Sequence, residues 1–532
     1  MLKTDLDNWF RKSASGLYEL YAEGSASARG EVIGRLTGEL IIEQEDHFNE
    51  QIRKMVPSTF YLHFLKYFIR WFNRNLEKHI PSEYKEEIRG ISEFASENYG
   101  YIGTKYQRIL NYHAAHDIGH ALQNLALVGC TSFGTWGEGA AGGPAGDGGG
   151  DKTAEGSAGT AAGMIIGRNF DFYAGDKFAE KKIVSFIKPD EGYKFMYVTW
   201  GGFMGVASGM NEKGLTVTIN AAKSTIPRGS ATPVSLVARE IVQYAGNIAE
   251  AIAIAKKRKM FVSESFLVGS AADNRAVIIE KTPRSMAVYD PQRSPILCAN
   301  HFQSEGLSGS ARNREQMAES ASVYRFRRLQ ELLKQAGPHH TVQQTVDILR
   351  NRQGLAGADI GMGNEKALNQ LIAHHSVVFE PQKLRVWVST APWQLGAYVA
   401  YDLPHVFSLG GMKEDREICQ AGQAVGGGGH ADGAGGEGCI GADPFLLSES
   451  FRNFEGYRAL KHKLEDGADI DPYQLVAYNP AFYHAYVLAG DYCFKKEQLG
   501  EAASFYSKAL TKEIATRKEE AYIRKQIKRC AG

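Results

Sequence analysis

A change of texture at Gly129–Cys130 constrains this chain more than any other feature. Upstream, residues 1–125 read as helical, with apolar residues at helical spacing in Glu39–Val56 and Thr59–Leu76 and with Pro57 and Pro81 where turns should fall. Downstream come short β-rich runs (MIIGRNFDF, IVSFIKP, KFMYVTW, GLTVTINAA, AVIIEK and VVFEPQKLRVWVS) separated by Gly, Pro and Asn turns. Two helical stretches, Val234–Lys259 and Glu319–Ala336, interrupt them, and the chain returns to helix from Asp443. Strand groups with long helices between them imply a layered α+β fold rather than a βαβ alternation.

At 532 residues there is room for two or three domains. The pattern predicts a helical segment over 1–129, an α+β domain over 130–445 and a helical extension over 446–532. Gly/Ala-rich stretches at 137–163 and 422–441 contain little that could pack and read as surface insertions. Neither holds a GxxxxGK[ST] match, which argues against a phosphate cradle. A formal net charge of +1 gives no global pull towards nucleic acid or an acidic membrane. Six cysteines (Cys130, Cys298, Cys419, Cys439, Cys493, Cys530) are scattered without a CxxC, which fits a reducing compartment and leaves one free for chemistry. The opening MLKTDLDNWFRKSASG has no apolar core of a signal peptide, and no window of about 18 apolar residues could span a bilayer, so a cytoplasmic location is expected.

By composition alone, Cys130 in LALVGCTSFGTW is ordinary, since a buried structural Cys is the commoner case. The motifs that follow single it out: GRNFDF (Gly167–Phe172), SGMNEKGLTVTIN (Ser208–Asn220), CANHF (Cys298–Phe302) and SVYRFRRL (Ser322–Leu329). In this order they resemble the N-terminal-nucleophile (Ntn) cysteine hydrolases, nearest to the isopenicillin-N acyltransferase family. Choloylglycine hydrolases, penicillin V acylases and, more remotely, acid ceramidases share the plan. The resemblance covers about residues 100–405. It implies a four-layer αββα sandwich, self-cleavage between Gly129 and Cys130, and retention of residues 1–129 as a separate chain.

The chemistry is consistent with that. The Cys130 thiol can attack the Gly129 carbonyl to give a thioester that water hydrolyses. The freed α-amine has an unperturbed pKa of roughly 7.7–8.0, close enough to a thiol's to serve as its base, so no catalytic His or cofactor is required. By resemblance, Arg168 contacts the thiolate region and Asp171 binds the freed ammonium. Standing three apart, they share a site only if the strand turns or bulges, expected at Asn169. Asn300 is the side-chain oxyanion donor by its amide, and Asn220 completes that hole or the pocket wall. Arg325 braces the nucleophile region, whereas Arg327 and Arg328 read as a solvated basic face. Asn211 reads as a turn residue. The substrate implied is a small acyl-amide or acyl-CoA thioester.

Rival features are fewer. His113, His116, Asp117 and His120 share a helix face at metal-ligand spacing, the basis of an alternative metal-dependent hydrolase. The aromatic run Phe60–Phe72 fits a core-facing helix, with a membrane-surface or acyl-pocket role as alternatives. His339–His340 and His374–His375 are pairs with no further partners in sequence. Ala485–Leu510 has the spacing of one tetratricopeptide-like hairpin (Gly490, Tyr492, Ala502, Tyr506, Ala509), expected as a cap on the main domain and alternatively as a protein-binding module of a non-enzymatic scaffold.

Overall fold

A computed structural model describes residues 2–55, 67, 73–114, 117, 127–137, 163–173, 175–224, 229–337, 340–415, 418 and 438–531. The strands, in chain order, are β1 (Lys3–Asp5), β2 (Asn8–Lys12), β3 (Tyr18–Gly24), β4 (Leu127–Val128), β5 (Thr131–Thr135), β6 (Ile165–Phe170), β7 (Phe172–Tyr173), β8 (Ile183–Pro189) and β9 (Phe195–Thr199). They continue with β10 (Ser208–Asn211), β11 (Leu215–Ala222), β12 (Ser263–Ser270), β13 (Arg275–Lys281), β14 (Met286–Tyr289), β15 (Ile296–Cys298), β16 (His375–Glu380), β17 (Arg385–Ser389) and β18 (Tyr398–Asp402). A ten-stranded sheet runs β1-β2-β3-β8-β9-β10-β11-β12-β13-β14 and a six-stranded sheet runs β15-β5-β6-β16-β17-β18.

Side-chain alternation explains how the sheets stack. Along β11, Leu215, Val217 and Ile219 point to one face and Thr216, Thr218 and Asn220 to the other, and both faces are buried. One core joins the two sheets, with Val184, Met210 and Ile278 of the larger meeting Ile166, Val377 and Val386 of the smaller. The other face of the larger sheet packs on helices Ala26–Met55 and Val234–Tyr244. The other face of the smaller sheet packs Phe133, Val378 and Trp387 on Leu329, Leu333 and Val346 from helices Ser322–Ala336 and Val342–Leu349. The α+β class holds.

The start of the chain departs from its helical reading. Its first 24 residues form β1–β3, and β3 joins β8 in parallel, pairing Tyr18 with Ile183 through Gly24 with Pro189. Short, aromatic-rich runs split by tight turns favour strands, and an existing sheet edge completes them. Helix Ala26–Met55 then crosses helix Ser82–Ser92 at Gly30, where a Cβ would lie 2.3 Å from the Glu87 carbonyl oxygen. That close approach seats Glu87 between Arg29 (2.7 Å) and Arg239 (3.1 Å) of the helix Val234–Tyr244, all buried.

Beyond residue 448 the chain forms helices Glu449–Glu465, Pro472–Tyr478, Tyr483–Lys495, Leu499–Ala509 and Arg517–Cys530. Their core includes Leu371, Trp393 and Leu395, so the extension packs on the main domain. Within the hairpin, Gly490 admits the Tyr506 ring, which a Cβ would meet at 2.7 Å. The larger parts of the two Gly/Ala-rich insertions (138–162 and 422–437) and nearly all of Phe60–Phe72 lie outside the described residues. Among the described residues no helix is long and apolar enough to cross a membrane, and Cys130, Cys298, Cys493 and Cys530 are free thiols.

Candidate active site

Cys130 leads directly into β5, an interior strand between β15 and β6, and its side chain is fully buried. Opposite β5, Arg168 on β6 donates from Nη2 to Cys130 Sγ at 3.3 Å and to the Ile219 carbonyl at 2.7 Å. Its Nη1 donates to the Ala207 carbonyl (2.7 Å) and Ser208 Oγ (2.9 Å), and the Phe170 ring lies 4.6 Å from the guanidinium carbon. Three acceptors on the larger sheet thus aim one N–H at the sulfur.

The strand does not turn at Asn169. That residue stays in β6, with its amide donating to the Leu349 and Leu368 carbonyls at 2.9 and 3.0 Å. The break falls at Asp171, between β6 and β7, where the Asp171 carbonyl accepts from the Gly129 N–H at 3.0 Å. Leaving the strand there frees Asp171 from the alternation that would have sent it away from Arg168. Its Oδ2 accepts from Gln370 Nε2 at 3.2 Å, while Oδ1 is buried with no partner. Burial raises the Asp171 carboxyl to about 7 against the opposing pull of Arg325 and Arg168. Burial likewise raises the Cys130 thiol, with Arg168 opposing and Asp171 adding to the rise.

Arg325, on the helix Ser322–Ala336, donates from Nη1 to the Cys130 carbonyl (2.8 Å) and Thr131 Oγ1 (3.0 Å), and from Nη2 to Asn300 Oδ1 (2.6 Å). Asn300 follows β15, and its Nδ2 donates to the Ala221 carbonyl at 2.9 Å. Asn220 accepts from Ser132 Oγ at 2.9 Å and donates to the Cys298 carbonyl at 3.3 Å, a bond between the two sheets. Arg328 corrects its surface reading: it is buried and bonds Glu331 (2.9 Å) and Asn351 (3.2 Å), while Arg327 is exposed. Asn211 caps its hairpin through Oδ1, which accepts from the Lys213 and Leu215 N–H groups.

The rival metal face is otherwise employed. His113 donates from Nδ1 to the Ile109 carbonyl (2.8 Å), and its Nε2 accepts from the Met204 N–H (3.0 Å), so neither nitrogen has a lone pair to spare. Burial pushes this imidazole down to about 4. Asp117 Oδ2 accepts from the Val234 N–H at 2.9 Å, at the start of a helix. His116 and His120 lie outside the described residues, and among the described residues no cluster of His, Cys, Asp and Glu could hold a metal.

Three features of the site have no signal in the motifs. Gln370 Nε2 also donates to the Gly129 carbonyl, at 3.0 Å. Behind Arg168, Ser208 Oγ accepts from the guanidinium and so donates to His375 Nε2 (2.8 Å), which leaves His375 Nδ1–H to donate to His374 Nδ1 (2.8 Å). Burial holds both imidazoles well below their usual range, so the chain has a fixed direction. Glu264, on β12 opposite Ala221, is buried with neither oxygen partnered, and burial raises its carboxyl well above the usual range. Ser208, in SGMNEKGLTVTIN, and the His374–His375 pair were visible in sequence, and nothing there tied them together or to Arg168.

Residues 158–391 match the family described as acyl-coenzyme A:6-aminopenicillanic acid acyl-transferase, so the resemblance carried by the motifs is shown for that region. The match spans Arg168, Asp171, Asn220, Asn300, Arg325 and Gln370 and begins downstream of Cys130. Among individual relatives, an uncharacterized protein of Archaeoglobus fulgidus is 28% identical over 292 residues, 53% of this chain and 46% of its own length. The chain therefore spans about half of that relative. Solved structures similar to the chain include a Caenorhabditis elegans ortholog of N-acylethanolamine-hydrolyzing acid amidase, at 17% identity and a TM-score of 0.32, covering 48% of this chain and 93% of that one. Another is a mutant of the conjugated bile acid hydrolase of Clostridium perfringens, at 12% identity and a TM-score of 0.31, covering 46% and 89%.

Proposed function

We propose that the chain is a self-processing cysteine hydrolase or acyltransferase of the Ntn type, built as a four-layer αββα sandwich. The observation that carries this reading is the buried cluster around the Gly129–Cys130 bond, in which Arg168 reaches the sulfur and Asp171 keeps an unpartnered oxygen. A buried carboxylate oxygen without a partner is costly, and a new ammonium on Cys130 would supply one. The thiol attacks the Gly129 carbonyl, and the resulting thioester is hydrolysed. Afterwards the α-amine of Cys130 serves as base and Asp171 orients it, while Arg168 favours the thiolate. An amide or thioester substrate then acylates the sulfur, and water or an amine takes the acyl group.

Because Cys130 is fully buried, an external substrate gains access only after the chain preceding it moves, which fits activation by cleavage. Residues 1–129 should remain attached, through β3 on β8 and through Glu87 on Arg239. The family match and the names of the similar enzymes favour a small acyl-amide or acyl-CoA thioester as substrate, with no cofactor needed for the steps above. The C-terminal helices act first as a cap, with binding of a protein partner as their further possible use. Intact-mass measurement tests the proposal: wild type should resolve into two fragments split before Cys130, and Cys130→Ala should stay whole. Wild-type protein that remains uncleaved after prolonged incubation between pH 5 and 8 would refute it.

A further inference from the structure

We propose that Gln370 is the oxyanion donor for the chain's own cleavage, an assignment that rests on the self-processing reading above. Its Nε2 donates at 3.0 Å to the Gly129 carbonyl oxygen, the atom that gains charge when the Cys130 sulfur adds to that carbonyl carbon. The same nitrogen donates to Asp171 Oδ2 at 3.2 Å. Both neighbours are acceptors, so the amide's orientation is set by chemistry: its oxygen turned this way would face two others. Gln370 is buried, so water does not compete for the developing charge.

The other candidates are committed elsewhere. Arg325 holds the Cys130 carbonyl, on the far side of the scissile bond, and Asn300 is held between Arg325 and the Ala221 carbonyl. Gln370 is thus the donor that serves the internal carbonyl, and the external-substrate role of Asn300 is what the resemblance implies. In the step itself an S–C bond forms at Gly129, and the carbonyl electron pair moves onto the oxygen that Gln370 contacts. Collapse breaks the C–N bond to Cys130, whose amine receives the thiol's proton. Water then splits the thioester into a Gly129 carboxyl group and the free thiol, so water is the sole co-reactant.

The requirement for glycine at 129 follows from the same contact. A Cβ there would stand 2.6 Å from Gln370 Nε2 and push the donor off. Gln370 sits on the irregular stretch 350–374, and its neighbour Leu371 adopts a left-handed backbone (φ 56°), a conformation that a leucine holds only under constraint. Leu371 is buried in the core of the C-terminal helices. Those helices also grip the stretch further out: Asn479 exchanges hydrogen bonds with the Met362 backbone (3.1 and 2.8 Å), and Asn364 donates to the Glu513 carbonyl (2.9 Å). The C-terminal extension is thus part of the scaffold that presents the donor.

The test follows cleavage of the full chain by intact mass over time, with thermal unfolding as a check on folding. Gln370→Met keeps the volume and loses both N–H groups, and cleavage should slow by about 10²–10³-fold, as for other lost oxyanion donors. Gln370→Lys returns a donor and should cleave faster than Met, whereas a packing role predicts the reverse order. Should the Met variant misfold, Gly129→Ala displaces the same donor with the loop sequence native and should show the same slowing. Cleavage of Gln370→Met at the wild-type rate, or Met outpacing Lys, overturns the assignment. Fragments from Cys130→Ala would instead overturn the self-processing reading, whatever Gln370 does.

Discussion

Replacing Asp171 should change how the uncleaved protein responds to pH, by an amount that the site itself sets. In the whole chain this carboxyl is buried with one oxygen unpartnered, and burial lifts it from the ordinary 3.8 to about 7. Below about pH 4 it is protonated in the folded and unfolded chain alike and adds no pH dependence. Between there and about pH 7 the unfolded chain gives up this proton while the folded chain keeps it. Folded stability therefore falls with rising pH, by about 1.4 kcal/mol per unit and about 4 kcal/mol in all, and levels off above 7. The assay is urea unfolding of Cys130→Ala, which should stay whole, against Cys130→Ala/Asp171→Asn at half-unit steps from pH 4 to 8. Glu264 and Glu280, also raised by burial, are common to both proteins and cancel. The double variant should gain on the single one as pH rises, whereas cleaved wild type, with an ammonium against Asp171, should lack the decline. A stability difference that stays flat across this range would refute the reasoning.

Two further outcomes follow from contacts away from the bond. Glu87→Ala leaves Arg29 and Arg239 buried against each other, so unfolding should show a loss of about 3–5 kcal/mol, and the N-terminal fragment should separate from cleaved protein on gel filtration. Ser208→Ala removes one of the Arg168 acceptors and the donor to His375, and cleavage followed by intact mass should slow by about tenfold, the worth of one buried hydrogen bond.

What the sequence revealed divides along a physical line. Local periodicity marks elements, so the strand runs after Cys130, the helical tail and the Asn211 hairpin were legible. Arg168, Asp171, Asn300 and Arg325 were named because their motifs recur in a known order, and the structure brings Arg168, Asp171 and Arg325 to the Gly129–Cys130 bond, with Asn300 joined to it through Arg325. The strands of residues 3–24 were misread because β1 and β2 are short and β3 completes its pairing only on β8, some 165 residues away in the chain, a partner no local window contains. The burial of Arg328 was missed for a related reason: a basic run on a helix looks solvated until Glu331 and Asn351 are seen beside it.

Gln370 shows where such reading ends. A glutamine in ALNQLIAHH has no spacing to betray it, because its importance lies entirely in the acceptors it meets, Gly129 and Asp171, 241 and 199 residues earlier. Those acceptors come from a strand break, and the donor comes from a loop gripped by helices that follow the catalytic domain in sequence. On the self-processing reading, three parts of the chain must therefore be folded together before the bond can be cut. On that reading, cleavage reports on completed folding: a chain lacking its tail would hold Arg168 beside Cys130 and still present no donor to Gly129. That dependence gives the C-terminal helices a chemical reason to pack where they do, through Leu371 and Asn479, beyond covering an apolar face.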